Sequence, residues 1–258
     1  SEGEDEHPVL KNLRIACDYD SEFSDEDKLV AIASYYGLCS FVDDMVGQII
    51  AKLSETGLDQ NTVVIFSSDH GECLGDRGFW TKMVMYEEAA SIPLIMSGPN
   101  ISPHKESAPV SLIDLYPTIL DIAGLERVSG EAIHARSLFE TLKQPNKDRL
   151  ILSEFHDYGA QTGMFMLRHA NWKLIHYPGF KPQLFNLEND PGEEENLAKE
   201  SEYALKIEEL SNLLKVILDP DEVNNLAFLD QEDMISKLGG REEILAMQNY
   251  DLTPVNEI

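Results

Sequence analysis

The residues best suited to chemistry in this sequence are Asp69 and His70, which follow a short apolar segment, and Lys82, which comes after them in a glycine-rich stretch. Residues 62–68 are mostly β-branched or apolar, which predicts a strand buried on both faces of a parallel sheet. Ligands of such sheets bind beyond the carboxyl ends of the strands. A carboxylate and an imidazole at that position can share one metal ion if the chain turns, and Gly71 permits the turn. The alternative from these residues alone is that Asp69 caps a helix and His70 is packed.

A long helix is predicted immediately before that strand, from Ser24 to Gly57. Ser24 with Asp27 three positions later forms a capping-box pattern, apolar residues recur at intervals of three and four, and a glycine ends the pattern. Asp43 and Asp44 lie within the helix and are expected to be solvated. A helix followed by a buried strand is the order of an α/β sheet protein.

The composition restricts the partners that this chain can have. Its formal net charge of −27 over 258 residues argues against nucleic acid and anionic membranes as partners. We find no apolar stretch long enough to cross a bilayer and no export signal at the amino terminus. Residues 1–27 carry ten Asp or Glu, and residues 1–24 contain Pro8 and no sustained periodicity, so we expect an acidic linker or loop there.

Cysteine usage gives little support for disulfides or zinc. The three cysteines, Cys17, Cys39 and Cys73, are an odd number and show no Cys-x-x-Cys spacing. Reduced thiols are therefore expected. They favour a cytoplasmic location, although the chain carries no signal that decides it.

Several longer stretches, in this order, carry a resemblance to a known family: YYGLCSFVDDMVGQIIAKL (35–53), VVIFSSDHGECLGDRGFWTKMVMYEEAASIPLI (63–95), PVSLIDLYPTILDIAGL (109–125), and WKLIHY with QLFNLENDPGEEENLA (172–198). Together they resemble the carboxyl-terminal part of sulfatases, in the alkaline-phosphatase-like superfamily. The similarity is greatest to the branch of choline sulfatases and phosphonate monoester hydrolases.

The resemblance implies an α/β fold with a largely parallel sheet flanked by helices and a small antiparallel carboxyl-terminal subdomain. Strand patterns beginning at Arg149, Gly163 and Trp172 also predict such a subdomain. We expect an acidic linker or loop (1–24), the carboxyl-terminal part of the sulfatase core (25–147), an antiparallel sheet with a helix (148–218) and a helical tail (219–258). The tail is expected to pack on a neighbouring subunit, which would make a homo-oligomer, or on its own chain.

The resemblance also implies roles for the residues named first. Asp69 and His70 would bind one divalent cation, and Lys82 would be a catalytic residue that contacts the sulfate group. Calcium is the expected ion, with manganese as the alternative because imidazole suits transition ions better. Three loop residues are candidate substrate contacts: Trp80, His104 and His156.

The nucleophile of the family is not found in this sequence. Sulfatases oxidise the cysteine of a Cys-x-Pro/Ala-x-Arg motif to formylglycine, but the similar stretch from Cys73 to Arg77 has Gly75 where proline or alanine belongs. We therefore expect Cys73 to be structural. The chain then corresponds to the second part of a longer enzyme, with formylglycine in an amino-terminal part that is its partner, and is expected to be inactive alone.

The function that follows from the resemblance is hydrolysis of small sulfate esters by a metal-dependent sulfatase. A phosphomonoester or phosphonate hydrolase of the same superfamily is the nearest alternative. A non-catalytic acidic scaffold or binding protein is the alternative from a different class.

Overall fold

The computed structural model describes residues 6–19, 23–127, 134–157 and 159–246. Its α-helices are α1 (Pro8–Ala16), α2 (Asp25–Thr56), α3 (Glu87–Ala90), α4 (Leu115–Ala123), α5 (Leu138–Lys143), α6 (Ala204–Ile217), α7 (Pro220–Lys237) and α8 (Arg241–Ala246). The strands are β1 (Val64–Ser67), β2 (Leu94–Ser97), β3 (Leu150–Phe155), β4 (Met164–His169), β5 (Trp172–His176) and β6 (Gln183–Asn186). Short 3-10 helices cover Leu58–Asn61, Asp76–Gly78, Leu112–Asp114, Leu197–Lys199 and Ser201–Tyr203.

The core is built on the four-stranded antiparallel sheet β3-β4-β5-β6. Alternate residues of each strand point to opposite faces, so the sheet buries one layer on each side. One face contributes Met164, Met166, Ile175, Tyr177 and Phe185, which pack against α1 and residues 79–89. The other face contributes Phe165, Leu167, Leu174 and Leu184, which pack against Leu210 and Leu214 of α6. Each fully buried side chain of this size stabilises the fold by about 1.5–3 kcal/mol.

The strands β4 and β5 form a hairpin whose turn contains Ala170 and Asn171. Ala170 has a φ of 51°, the positive value that tight two-residue hairpin turns require. The turn sets Leu167 opposite Leu174 on the α6 side of the sheet. It therefore fixes which side chains reach each core layer.

The helix ends follow the sequence prediction closely. The side chain of Ser24 accepts a hydrogen bond from the Asp27 amide, and Asp27 bonds back to the amide of Ser24, which completes the capping box. Gly57 ends α2 with a φ of 73°, and Gly124 ends α4 with a φ of 66°. The predicted helix before β1 is confirmed.

Helix α2 is apolar on all sides, and none of its residues is buried. Leu29, Tyr36, Phe41 and Ile49 are each at least 60% exposed. By length and composition α2 would also suit a membrane span, with a mean hydropathy of 1.3 over its most apolar window, which corrects the expectation that no stretch is long enough. A helix that is hydrophobic all round is normally covered by other structure.

A helix lies within the predicted linker, which corrects the prediction for residues 1–24. Pro8–Ala16 is helical, begins with proline at its first position and is capped by the imidazole of His7. Val9, Leu10 and Leu13 are buried against the four-stranded sheet. The segment was predicted as a linker because acidic residues flank the helix and outweigh its few apolar positions in the sequence.

The strand before Asp69 also differs from its prediction. The residues of β1 are half-buried or exposed, and β1 pairs antiparallel with β2, with Phe66 opposite Ile95. No parallel pair occurs among the residues that the structure describes. An antiparallel edge pair is common in mixed sheets, and β1 is apolar on both faces, as a strand within a larger sheet would be.

The beginning of the tail packs on its own chain. Asp219 caps α7, and Asn224 of α7 accepts hydrogen bonds from the amide of Gly163, at 2.7 Å, and from the hydroxyl of Thr162, at 3.3 Å. Gln231 donates to the backbone carbonyl of His156. Packing on a neighbouring subunit stays a prediction.

Asp114 is fully buried, and its carboxylate binds Arg149 through two hydrogen bonds of 2.5 and 2.6 Å. It also accepts hydrogen bonds from the backbone amides of Ser111 and Arg136. The carboxylate of Asp114 makes no cap bond to α4, although Asp114 directly precedes that helix. It joins α4 instead to the loop before β3.

Replacing Asp114 with alanine should destabilise the protein by about 3–5 kcal/mol, because it leaves the buried Arg149 unpaired. The matched control is Asp121→Ala in the adjacent helix α4, whose partner Arg127 lies 3.5 Å away with both side chains 36% exposed. That change should cost less than about 1 kcal/mol. Urea unfolding measures both, and equal losses would contradict the assignment.

Candidate metal centre

The imidazole of His70 and the carboxylate of Asp69 converge where β1 ends. The Nδ1 atom of His70 lies 2.8 Å from the carbonyl oxygen of Gly71, which can only accept, so Nδ1 carries the proton. The Nε2 atom therefore has a free lone pair, and it lies 3.6 Å from Oδ2 of Asp69. A protonated Nδ1 bound to a carbonyl is the usual arrangement of a histidine that binds metal through Nε2.

Asp69 is oriented by neighbouring backbone groups. Its Oδ1 atom accepts a hydrogen bond from the amide of His70 at 3.1 Å, which leaves Oδ2 toward the imidazole. The pKa of Asp69 lies below its usual value, because its own backbone amide and then the nearby imidazole favour the charged form. Its side chain is 83% exposed, so the carboxylate is open to a ligand.

The turn that carries His70 is held against α3. The hydroxyl of Ser68 donates to the His70 carbonyl at 2.7 Å, and the Gly71 amide donates to the Ala89 carbonyl at 2.8 Å. A Cβ atom on Gly71 would lie 2.0 Å from the carbonyl oxygen of Glu88. Only glycine therefore allows the turn to approach α3 so closely.

Helix α3 is in turn held by four charged side chains, which we call the Lys173 cluster: Lys173, Glu87, Glu193 and Arg168. The Nζ atom of Lys173 lies 2.9 Å from Glu87 and 2.8 Å from Glu193, and the side chains of Lys173 and Glu193 are fully buried. Glu193 also accepts from the Glu87 amide at 2.6 Å, and Arg168 lies 3.7 Å from Glu87. Burial raises the pKa of Glu193, and the ammonium of Lys173 opposes part of that rise.

Sequence analysis missed Lys173 and Glu193. The signal for Lys173 was present, since a lysine occupies an inward position of the alternating strand β5 and a buried ammonium needs a carboxylate partner. Nothing near Lys173 in sequence identifies that partner. The partners come from residues 87 and 193, far away along the chain.

Lys82 is exposed beside Thr81, whose hydroxyl accepts a hydrogen bond from Tyr19 at 2.8 Å. The structure shows no contact between Lys82 and Asp69 or His70 among the described residues. Its predicted role in contacting sulfate therefore stays a prediction. No carboxylate among the described residues forms an ion pair with the ammonium group of Lys82.

The three candidate substrate contacts lie in different places. Trp80 lines an open cleft and packs edge-on to Phe23, with ring centroids 6.1 Å apart. His104 lies in an exposed loop, 3.3 Å from Glu106. His156 is 3.3 Å from Glu154 and packs edge-on to Phe165, on the four-stranded sheet. The structure places none of the three in contact with the Asp69–His70 pair.

Cys73 has the surroundings of a structural thiol. It is 3% exposed, and its amide donates to the carbonyl of Thr81 at 3.1 Å. Burial, followed by the nearby carboxylates of Glu88 and Glu72, raises the pKa of Cys73 to about 12. All three cysteines are free thiols.

The donor set suits a divalent cation in part. A carboxylate oxygen and an unprotonated imidazole nitrogen that face each other are suitable ligands for such an ion. No group of three or more histidine, cysteine, aspartate or glutamate side chains with metal-binding geometry occurs in the described ranges. The pair could therefore supply only two of the ligands that such an ion needs.

Comparison with known proteins places the chain in a family. The sulfatase family model matches residues 6–125, and the model of the N-sulphoglucosamine sulphohydrolase carboxyl-terminal region matches residues 75–220, more than half of the chain. This chain belongs to the sulfatase family. Among similar curated sulfatases, zebrafish (Danio rerio) arylsulfatase K is 36% identical over 83% of the chain and human arylsulfatase K is 39% identical over 80%.

Solved structures confirm the predicted α/β, alkaline-phosphatase-like fold class for this sulfatase chain. A 2-O GAG sulfatase superposes with a TM-score of 0.74 at 26% identity, and covers 84% of the chain. A phosphonate monoester hydrolase from Silicibacter pomeroyi superposes with a TM-score of 0.71 at 30% identity, and covers 87%. The chain spans 42% and 41% of the two curated relatives and 50% and 49% of these two structures.

In this sulfatase chain Cys73 should resist alkylation while the protein is folded. Iodoacetamide reacts with thiolates, and a buried thiol with a pKa of about 12 supplies almost none at pH 8. Cys39, which is exposed on α2, is the internal control. Mass spectrometry of the digested protein should show modified Cys39 and unmodified Cys73, and equally fast reaction of both would contradict a structural role.

Proposed function

We propose that this chain is the carboxyl-terminal part of a metal-dependent sulfatase that hydrolyses sulfate esters. The observation that carries the proposal is the convergence of His70 Nε2 and Asp69 Oδ2 at 3.6 Å, with Nδ1 of His70 committed to a carbonyl. Family membership and the arylsulfatase relatives support sulfate ester hydrolysis as the reaction.

Asp69 and His70 would hold one divalent cation, which supplies Lewis acidity and a fixed position for the ester oxygen when it is bound. Calcium is the expected ion and manganese the alternative, since the pair combines a hard oxygen with an imidazole nitrogen. The ammonium of Lys82 would stabilise negative charge that develops on the sulfate oxygens in the transition state.

The proposal includes an amino-terminal part of the same enzyme as partner, which would supply formylglycine and the remaining metal ligands. The exposed apolar surface supports it: besides α2, Ile95 of β2 is 61% exposed and Ile119 of α4 is 54% exposed. Asp43 and Asp44 lie in the middle of α2, and each would cost about 2.5–3.5 kcal/mol at the centre of a bilayer. A protein partner therefore suits α2 better than a membrane.

A phosphonate or phosphate monoester hydrolase is the second candidate. The superposition with a phosphonate monoester hydrolase at 30% identity supports it specifically. The same metal pair and ammonium can stabilise phosphoryl as well as sulfuryl transfer, because both transition states place negative charge on non-bridging oxygens. Substrate assays must separate the two.

Mn²⁺ and Ca²⁺ should raise the melting temperature of the chain, because an ion that binds only the folded state stabilises it in proportion to the logarithm of its concentration. Asp69→Ala should abolish the rise by removing one of two ligands. Asp59→Ala, in the exposed turn before β1, is the matched control and should retain it. If neither ion changes the melting temperature of the unsubstituted chain or of Asp69→Ala, the result would favour a non-catalytic scaffold.

The 258-residue chain alone should not hydrolyse p-nitrophenyl sulfate or a phenylphosphonate monoester. Addition of an amino-terminal sulfatase segment in which the cysteine of the Cys-x-Pro-x-Arg motif has been oxidised to formylglycine should restore hydrolysis, with the sulfate preferred. In that complex Lys82→Ala should lower kcat about 100-fold, a typical loss for one charge-stabilising donor. Lys105→Ala, in an exposed loop, should leave kcat unchanged. Turnover by the chain alone would contradict the need for a partner, and a preference for the phosphonate would select the second candidate.

A further inference from the structure

Lys173 lies in the four-stranded sheet and His70 lies in the turn after β1 of the other sheet, yet a short series of contacts joins them. Lys173 binds Glu87, the first residue of α3, at 2.9 Å. Ala89 of the same helix accepts the Gly71 amide at 2.8 Å, and the Gly71 carbonyl accepts Nδ1–H of His70 at 2.8 Å. We infer that Lys173 is a positioning residue for His70 and acts through α3. The inference rests on the proposed function, in which His70 is a metal ligand.

Helix α3 has four residues and cannot hold its own position. Helices this short are not stable by themselves, so contacts with other elements decide where α3 lies. The Glu87 carboxylate binds Lys173 and Arg168, which are paired neighbours on β5 and β4. The Glu87 amide is bound to Glu193, which Lys173 also binds. Both polar groups of the first residue of α3 are thus tied to Lys173.

The contact between α3 and the His70 turn leaves no free space. The position of a Cβ on Gly71 would overlap the Glu88 carbonyl at 2.0 Å, so the two backbones are as close as glycine allows. Close-packed interiors transmit small displacements rather than absorbing them. A shift of α3 must therefore move the Gly71 backbone.

The Gly71 carbonyl decides which nitrogen of His70 carries the proton. A neutral imidazole has one N–H, and while Nδ1–H is bound to this carbonyl, Nε2 keeps its lone pair toward Asp69. If the carbonyl moves away, the tautomer protonated at Nε2 becomes populated. That form cannot bind metal through Nε2.

The test is ring ¹⁵N NMR of the histidine-labelled 258-residue chain, with His70 assigned through a His70→Gln variant. The unsubstituted chain should show the Nδ1-protonated tautomer, and Mn²⁺ should broaden the His70 signal. Lys173→Met should give a mixture of tautomers and raise the Mn²⁺ concentration for half-broadening about tenfold, the lower end of typical losses when a ligand's supporting contacts are removed. Glu87→Gln keeps the shape of the side chain and retains the Lys173–Glu193 pair. It should change the tautomer and the Mn²⁺ titration in the same direction as Lys173→Met.

The matched control is Arg149→Met, which breaks the other buried ion pair, with Asp114. It should lower stability without changing the tautomer or the Mn²⁺ titration. The inference would be overturned if the tautomer and the Mn²⁺ titration are unchanged in both Lys173→Met and Glu87→Gln. It would also be overturned if Arg149→Met changes them as much as Lys173→Met does. If Mn²⁺ does not affect His70 in the unsubstituted chain but the tautomer still depends on Lys173, the positioning role stands and the proposed metal function is wrong.

Discussion

The ammonium group of Lys173 has no access to water, and this single constraint determines how the two parts of the structure meet. A buried charge is tolerated only with partners that replace its hydration. The carboxylates that do so come from the beginning of α3 and from the segment after β6. The requirement therefore brings α3, which supports the His70 turn, and the segment after β6 onto the same face of the antiparallel sheet. An apolar residue at position 173 could also be buried there, but it would not require carboxylates from these two segments.

The two parts of the chain are packed to different degrees. The antiparallel sheet has a closed apolar layer on each side, whereas α2, β1, β2 and α4 expose much of their apolar surface. The chain spans 49–50% of the two solved relatives described above, so each of them has further structure outside the matched region. The exposed half is thus consistent with the amino-terminal partner in the proposed function.

Local features were predictable from the sequence, and long-range ones were not. The ends of α2 followed from Ser24, Asp27 and Gly57, because caps are decided within a few residues. Helix α1 was missed although proline at its start and the spacing of its apolar residues were readable, since acidic neighbours obscured them. Strand β6 was not among the predicted strands, and the amide of its Gln183 is buried in hydrogen bonds with Tyr86 and Tyr177, which are distant or not adjacent in sequence.

The same distinction applies to the site. The adjacency of Asp69 and His70 in sequence, with glycine after them, was enough to predict that they converge. The carboxylate of Glu87, in contrast, pairs with Lys173 and Arg168, which lie on strands about 80 residues further along the chain. A single sequence does not show which distant residues become neighbours, so the support behind His70 was visible only in three dimensions.

The two-residue turn at Ala170 and Asn171 has a consequence for changes in chain length. Opposite faces of β4 carry Arg168, near Glu87, and Leu167, in the apolar layer under α6. One residue inserted in that turn would invert β5 relative to β4 and send Lys173 into hydrocarbon surroundings. This hairpin therefore cannot lengthen by single residues without exchanging the two faces of β5.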